Sequence, residues 1–143
     1  MYLVDTNVIS EARKGAKAAQ SVIEFFQRTE GKLFLPVQVV GELECGVEIL
    51  RRRGDLIQAE LLAAWVEMVL EEYSSSILAF DVQSAKIWGA LRGANKQNPM
   101  DKQIAAIALH YGMVVATRNT RHFLDTGVAL FNPFIANLPE EPN

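Results

Sequence analysis

The opening stretch Tyr2-Leu3-Val4-Asp5-Thr6-Asn7 constrains the fold more than any other part of the chain. Apolar residues run directly into an acid, a hydroxyl and an amide. A short apolar run closed by polar turn-formers reads as a buried strand that empties into a loop. In open α/β sheets, ligands bind outside the carboxyl ends of the strands. Asp5 therefore stands where such folds place chemistry, and the rest of the sequence is searched for its partners.

The remaining elements alternate in kind. Ser10 to Lys17 is polar and reads as a short helix or turn. From Ala18, the residues Ala19, Val22, Ile23 and Phe26 recur at helical spacing until Gly31. Leu33-Phe34-Leu35 is a second apolar run, closed by Pro36. Val39, Val40, Leu43, Val47 and Leu50 form one stripe of the next helix, with Glu44 and Glu48 opposite. Glu42 borders that stripe beside Val39 and Gly46. Arg51-Arg52-Arg53-Gly54-Asp55 marks a boundary of basic C-terminus, glycine and N-cap acid. Leu56 to Tyr73 follows as a helix with Ile57, Leu61, Ala64, Trp65, Met68 and Val69 inward, completing a helical hairpin. Ile77 to Phe80 reads as the third strand, and Val82 to Asn95 as a helix whose core positions are Ala85, Trp88 and Leu91. Asn98 is expected to cap a helix that begins with Pro99. That helix runs through Ile104, Ala105, Ala108 and Leu109 to Gly112. Met113 to Ala116 is the fourth strand and Val128 to Phe131 a short fifth. Strands separated by helices predict an α/β fold with a parallel sheet.

Length and charge narrow the options. A chain of 143 residues suits one domain, expected over residues 1–138 with 139–143 a flexible tail. A net charge of −3 gives no global attraction for nucleic acid, so a nucleic-acid substrate needs a local basic patch. Cys45 is the sole cysteine, which excludes an intrachain disulfide and fits a reducing cytoplasm. The N-terminus lacks the layout of a signal peptide, and no apolar run is long enough to span a bilayer. A cytoplasmic location without a membrane is expected.

Three carboxylates occupy positions that composition does not explain. Asp5 follows the first strand, Glu42 edges a core-facing stripe, and Asp101 falls in line with Ile104, Ala105 and Ala108. Carboxylates gathered at a sheet edge repel one another and resist desolvation. A divalent cation removes that conflict, and Mg²⁺ prefers oxygen ligands and needs few protein carboxylates. Such an ion activates water and stabilises a phosphoryl transition state. Each acid also has an ordinary reading. Asp5 serves as a helix cap, Asp101 suits the positive end of a helix dipole, and Glu42 keeps its head in solvent.

The order and spacing of four motifs carry a resemblance. They are Leu3-Val4-Asp5-Thr6-Asn7-Val8-Ile9-Ser10, then Val40-Gly41-Glu42-Leu43 with Gly46. Asp101 with Ile104-Ala105-Ala106 follows, and then Ala116-Thr117-Arg118-Asn119 with Phe123 and Asn132-Pro133. Across essentially its whole length the chain resembles the PIN-domain family, and within it the VapC/FitB-like toxins of bacterial toxin–antitoxin pairs. The resemblance implies a three-layer sandwich whose parallel five-stranded sheet has the first strand central and is flanked by helices. It implies a metal-dependent ribonuclease using Mg²⁺ or Mn²⁺. Asp5, Glu42 and Asp101 would be the metal ligands, Asn119 a further catalytic residue, and Thr6, Asn7 and Thr117 supports. Many relatives place a fourth acid at the position of Asn119 or three residues later, where this chain has His122. Neither is acidic here, so the resemblance does not extend to a second metal site. His122 has two readings, a surface histidine or a group that touches phosphate or transfers a proton.

RNA and partners follow from the same resemblance. Arg118, Arg121 and Lys102 are the candidates for RNA phosphates, with Lys96 behind them, and each also reads as a solvated base. Arg51-Arg52-Arg53 complements a helix dipole. The family implies a homodimer and a cognate antitoxin whose other end binds operator DNA, so DNA is met only indirectly. Leu61, Leu62, Trp65 and Val69 are candidates for the antitoxin groove or plain core. Two other functions compete. One is a catalytically weak PIN-like binding module. The other is a phosphotransfer domain with a strand-end aspartyl nucleophile, opposed by Asn7 and Arg118 where an aspartate and a lysine are needed.

Overall fold

The structure is a computed structural model, described for residues 1–135 and 138. Five strands, β1 (Tyr2–Val4), β2 (Leu33–Pro36), β3 (Ile77–Leu78), β4 (Val114–Ala116) and β5 (Leu130–Phe131), form one sheet in the order β3-β2-β1-β4-β5. Every pairing is parallel, and β1 sits in the middle with Leu3 opposite Phe34 on one side and Val115 on the other. Helices α1 (Thr6–Ala12) and α2 (Gln20–Arg28) connect β1 to β2. Helices α3 (Val37–Arg52) and α4 (Leu56–Glu72) connect β2 to β3, and α5 (Val82–Ala94) and α6 (Pro99–Tyr111) connect β3 to β4.

The sheet divides two cores by the alternation of its side chains. Val4, Leu33, Leu35 and Ala116 face α1 to α4, in a core that includes Val8, Phe25, Val39, Leu43 and Val66. Leu3 and Val115 face the other way, against Ile104, Ala105, Ala108 and Phe123. Both faces are covered, as a parallel sheet requires. On the first face Phe25 stacks on Phe131 at 5.6 Å and meets the Tyr2 ring edge-on at 5.2 Å. The whole is an α/β three-layer sandwich.

Several elements depart from their sequence expectation for physical reasons. The first helix occupies Thr6–Ala12, not Ser10–Lys17, because the Asp5 carboxylate accepts the Thr6 N–H at 2.8 Å and starts the helix at once. Gly15–Lys17 is a 3-10 turn, and α2 begins at Gln20, after Glu11 has taken the Ala19 N–H at 3.0 Å. On α4 the inward residues are Ala59, Val66 and Val69, whereas Ile57, Leu61, Ala64 and Met68 are exposed. α4 packs chiefly along α3, with Leu62 beside Gly46, so only one flank of a largely apolar helix is covered. On α5 Ser84 is buried and Ala85 exposed. β3 ends at Leu78, and Phe80 turns instead onto Trp88, edge-on at 6.1 Å. Asn98 starts α6 with a left-handed backbone (φ 49°) and no side-chain cap bond, and Leu109 is exposed. Leu138 is anchored, its carbonyl accepting Arg28 Nη1–H at 2.8 Å. The tail expected at 139–143 lies outside the described residues. Among the described residues, no helix is long and apolar enough to cross a membrane.

Candidate active site

Asp5 ends the central strand and caps α1 in one step, which fixes its carboxylate at the carboxyl edge of the sheet. It is 4 % exposed. One oxygen takes the Thr6 N–H. The other accepts from the Thr117 hydroxyl at 2.8 Å and from Asn7 Nδ2 at 3.3 Å. Thr117 is fully buried at the end of β4, and its Oγ1 accepts the Asn119 N–H at 3.0 Å. Asn7 Oδ1 accepts the Arg118 N–H at 2.9 Å. The ends of the two neighbouring strands are thus laced together around one carboxylate.

Glu42 and Asp101 converge on that point from other elements. Burial pushes Asp5 above the usual carboxylate range, the charge of Asp101 adds to it, and the bonds from Thr117, Thr6 and Asn7 oppose it. Burial likewise raises Glu42, with the charges of Asp5 and Asp101 adding to the rise. The three acids therefore feel one another's charge, although α3, α6 and β1 are far apart in sequence. The buried Thr6 hydroxyl lacks a partner of good geometry among the described residues. It lies near enough to Glu42 to favour the ionised form. His122 Nδ1 is 2.9 Å from Asp101 Oδ2, which puts the histidine at the site and against an acid.

This donor set fits a hard divalent cation in its chemistry: oxygen ligands, mutual repulsion and an orphaned buried hydroxyl. Among the described residues, no three His, Cys, Asp or Glu side chains form a ready-made coordination cage. An ion that keeps several of its waters suits such a set better than one stripped of them.

The basic candidates separate. Arg118 through His122 line a hollow of about 330 Å³ beside the acids. Arg121 is exposed there and pairs with none of the described residues. Arg118 leans away, its guanidinium 5.0 Å from the Phe134 ring centroid and close enough to lower Glu11. Lys102 is not a solvated base: its side chain is 1 % exposed, its ammonium donates to the Gln97 carbonyl, and Asp125 Oδ2 lies 3.4 Å away. Burial takes it out of reach of a phosphate. Lys96 is exposed. Asn119 stands just before the 3-10 helix Thr120–Phe123, makes no side-chain cap bond to it and is exposed at the rim. Of the candidate groove residues, Leu61 is exposed, Leu62 and Trp65 are half-buried and Val69 is core.

Sequence reasoning passed over Gln38, whose Nε2 donates to Gln103 Oε1 at 3.1 Å while its own Oε1 is buried without a partner among the described residues. Its position one turn before Glu42 was the available signal.

A parallel sheet with a central first strand, and acids meeting at its carboxyl edge, define an α/β domain built for an edge-bound charged ligand. The model of the PIN domain matches residues 2–129, and the chain belongs to the PIN-domain family. It is similar to Toxin FitB of Neisseria gonorrhoeae, 30% identical over 94% of this chain and 99% of that protein. It is also similar to the VapC ribonuclease Y4jK of Sinorhizobium fredii, 31% identical over 94% and 98%. Among solved structures, FitAB bound to an IR36 DNA fragment superposes with a TM-score of 0.79 at 30% identity, covering 98% of this chain and all of that one.

Proposed function

We propose that the protein is a metal-dependent endoribonuclease toxin of a toxin–antitoxin pair. The observation that carries this reading is the electrostatic meeting of Asp5, Glu42 and Asp101, whose burial and mutual repulsion leave Asp5 and Glu42 short of compensating charge. Family membership and a relative named as a ribonuclease support it.

Asp5, Glu42 and Asp101 would hold Mg²⁺ or Mn²⁺. When bound, such an ion supplies positive charge beside the phosphoryl oxygens and polarises water. The chain's own residues do the rest. Thr117, Asn7 and the Thr6 N–H aim Asp5 and favour its ionised form against the effect of burial. His122, with Nδ1 2.9 Å from Asp101 Oδ2, orients Asp101. Asn119 offers a neutral amide at the rim. Arg121, exposed beside His122 and unpaired among the described residues, offers positive charge to the RNA backbone, with Arg118 as a second candidate. A cognate antitoxin is the expected partner, with operator DNA reached through it, as the FitAB–DNA structure suggests by likeness. The active unit is a homodimer in this reading.

The test is cleavage of total cellular RNA by the purified protein free of any antitoxin, with Mg²⁺ or Mn²⁺, with EDTA, and beside Asp101→Asn. Discrete fragments that vanish with EDTA and in the variant are expected. A folded protein that cleaves with neither ion would overturn the nuclease reading and favour a PIN-like binding module, with the missing fourth acid at Asn119 and His122 as the cause.

A further inference from the structure

The segment after β5 carries a feature that the three acids do not explain. Asn132-Pro133-Phe134-Ile135 is a tight turn, closed by the Ile135 N–H onto the Asn132 carbonyl at 3.3 Å, with proline second, where its fixed φ suits. The Asn132 side chain works in two directions. Its Oδ1 accepts the Phe134 N–H at 3.0 Å, and its Nδ2 reaches the Arg118 carbonyl at 3.5 Å. Ser21 Oγ on α2 donates to the Phe134 carbonyl at 3.3 Å. On the other side, Asn7 Oδ1 accepts the Arg118 N–H at 2.9 Å while Asn7 Nδ2 donates to Asp5. The backbones of Arg118 and Phe134 are thus tied to each other and to the site. Phe134 is half-buried against the first core, and the Arg118 guanidinium lies over its ring with Cζ 5.0 Å from the centroid.

Among the described residues, no acid claims that guanidinium. Glu11, whose charge it feels, is engaged by Lys14 at 2.7 Å and by the Ala19 N–H at 3.0 Å. The Arg118 side chain makes no hydrogen bond or ion pair among the described residues, and the residue is exposed. One face of the guanidinium therefore rests on Phe134 and the other meets solvent. A planar, weakly hydrated cation held against an aromatic ring is a surface on which nucleobases stack. Its place suits that use. Arg118 borders the hollow that Asn119 and His122 also line, and its backbone is two hydrogen bonds from the Asp5 carboxylate.

We propose that the outer face of the Arg118 guanidinium, backed by Phe134, stacks an unpaired RNA base that flanks the phosphate at the acids. The inference rests on the nuclease reading for the class of its ligand. The N–H edge of the guanidinium stays available to a phosphate, so stacking adds to a charge contact and does not replace it. A lysine would supply the charge without the plane. An acidic protein segment, the other ligand that an arginine takes, would pair with the N–H edge and leave the face unused.

The test is fluorescence-anisotropy binding of labelled strands to the whole protein at fixed ionic strength, in EDTA so that no metal-dependent cut intervenes. One strand is oligouridylate, and the other is an abasic ribose-phosphate strand of the same length and charge. Wild type should prefer oligouridylate about tenfold. Arg118→Lys should lose that preference and bind the abasic strand as wild type does. Phe134→Leu, which keeps an apolar group against the core, should reduce the preference to about threefold, and Arg53→Lys, beyond α3, should leave it intact. Equal binding of the two strands by wild type, or a full preference in Arg118→Lys, would overturn the proposal. So would Arg118→Lys weakening both strands alike, the mark of an edge-bound phosphate. Binding of neither strand beside binding of an oligoglutamate peptide would assign Arg118 to a protein acid instead. A protein that shows the base preference but cuts RNA with neither ion keeps this inference and loses the nuclease reading. One that cuts RNA without the preference does the reverse.

Discussion

Glu42 shows how the site acts against the fold one residue at a time. Its folded pKa is raised, first by burial and then by Asp5 and Asp101. A raised folded pKa means that the native state holds the proton more tightly than the unfolded chain. The resulting stability is present below the unfolded pKa and is lost as pH climbs through the folded one. At neutral pH the ionised Glu42 is therefore a burden. Glu42→Gln should raise Tm in EDTA by roughly 1–2 °C, the size expected of a half-exposed charge after solvent screening, and should abolish cleavage. Calorimetry beside the RNA assay checks both, and an unchanged or lower Tm would contradict the sign. Thr117→Val is the complementary test. It removes the donor to Asp5 and the acceptor for the Asn119 N–H. Turnover should fall roughly tenfold to a hundredfold, the usual cost of losing a group that orients a ligand, while the fold survives at a cost of about 1 kcal/mol. A Thr117→Val protein of normal activity would remove Thr117 from the site. The three acids stand out in the sequence because each follows a strand or edges an apolar stripe. The His122–Asp101 pair does not, since nothing in a residue beyond a strand end says which acid its ring will meet.

At the scale of elements, α6 presents two consecutive charged residues in opposite senses. Asp101 is partly open to the cleft, and Lys102 is buried. The sequence places a lysine at a helix start among solvated bases. Its burial depends on the Gln97 carbonyl and Asp125, which come from separate segments, so local pattern could not reveal it. Lys102→Ala should cost about 2–3 kcal/mol, by leaving the Gln97 carbonyl without its donor and a gap in the packing where the buried side chain stood. Lys102→Met should cost less, because it keeps the aliphatic stem. Urea unfolding separates the two. Equal stabilities with weakened RNA binding would restore Lys102 as a phosphate contact. The same reasoning explains α4: a helix apolar on most sides gives no unique stripe, so periodicity chose the flank with Ile57, Leu61 and Met68, which packing leaves outside. The start of α1 was hidden differently, because Asp5 is both a strand end and a helix cap.

For the whole molecule, strand existence was legible because each short apolar run ends in a polar turn. Likeness to a family implied only that the first strand is central; the order β3-β2-β1-β4-β5 is seen in the structure alone, since residue pattern does not say which strands are neighbours. A ligand that binds only the native state raises its stability by mass action. Mg²⁺ at tenfold over its Kd should add about 1.4 kcal/mol, or roughly 3–4 °C in Tm for a chain of this size. The gain should vanish in Glu42→Gln and Asp101→Asn. A thermal scan in which both variants respond to Mg²⁺ as wild type does would place the ion elsewhere. Loop 95–98 is fastened twice, by Lys102 to the Gln97 carbonyl and by Asn95 Nδ2 to Asp125 Oδ2 at 2.8 Å. That double tie joins the approach to α6, which carries Asp101, to the segment after the 3-10 helix, which carries His122. In the proposed nuclease the segments that flank Asp101 and His122 are held to each other, so the substrate has to do the bending, and RNA in flexible single-stranded loops should be cut in preference to a stiff duplex.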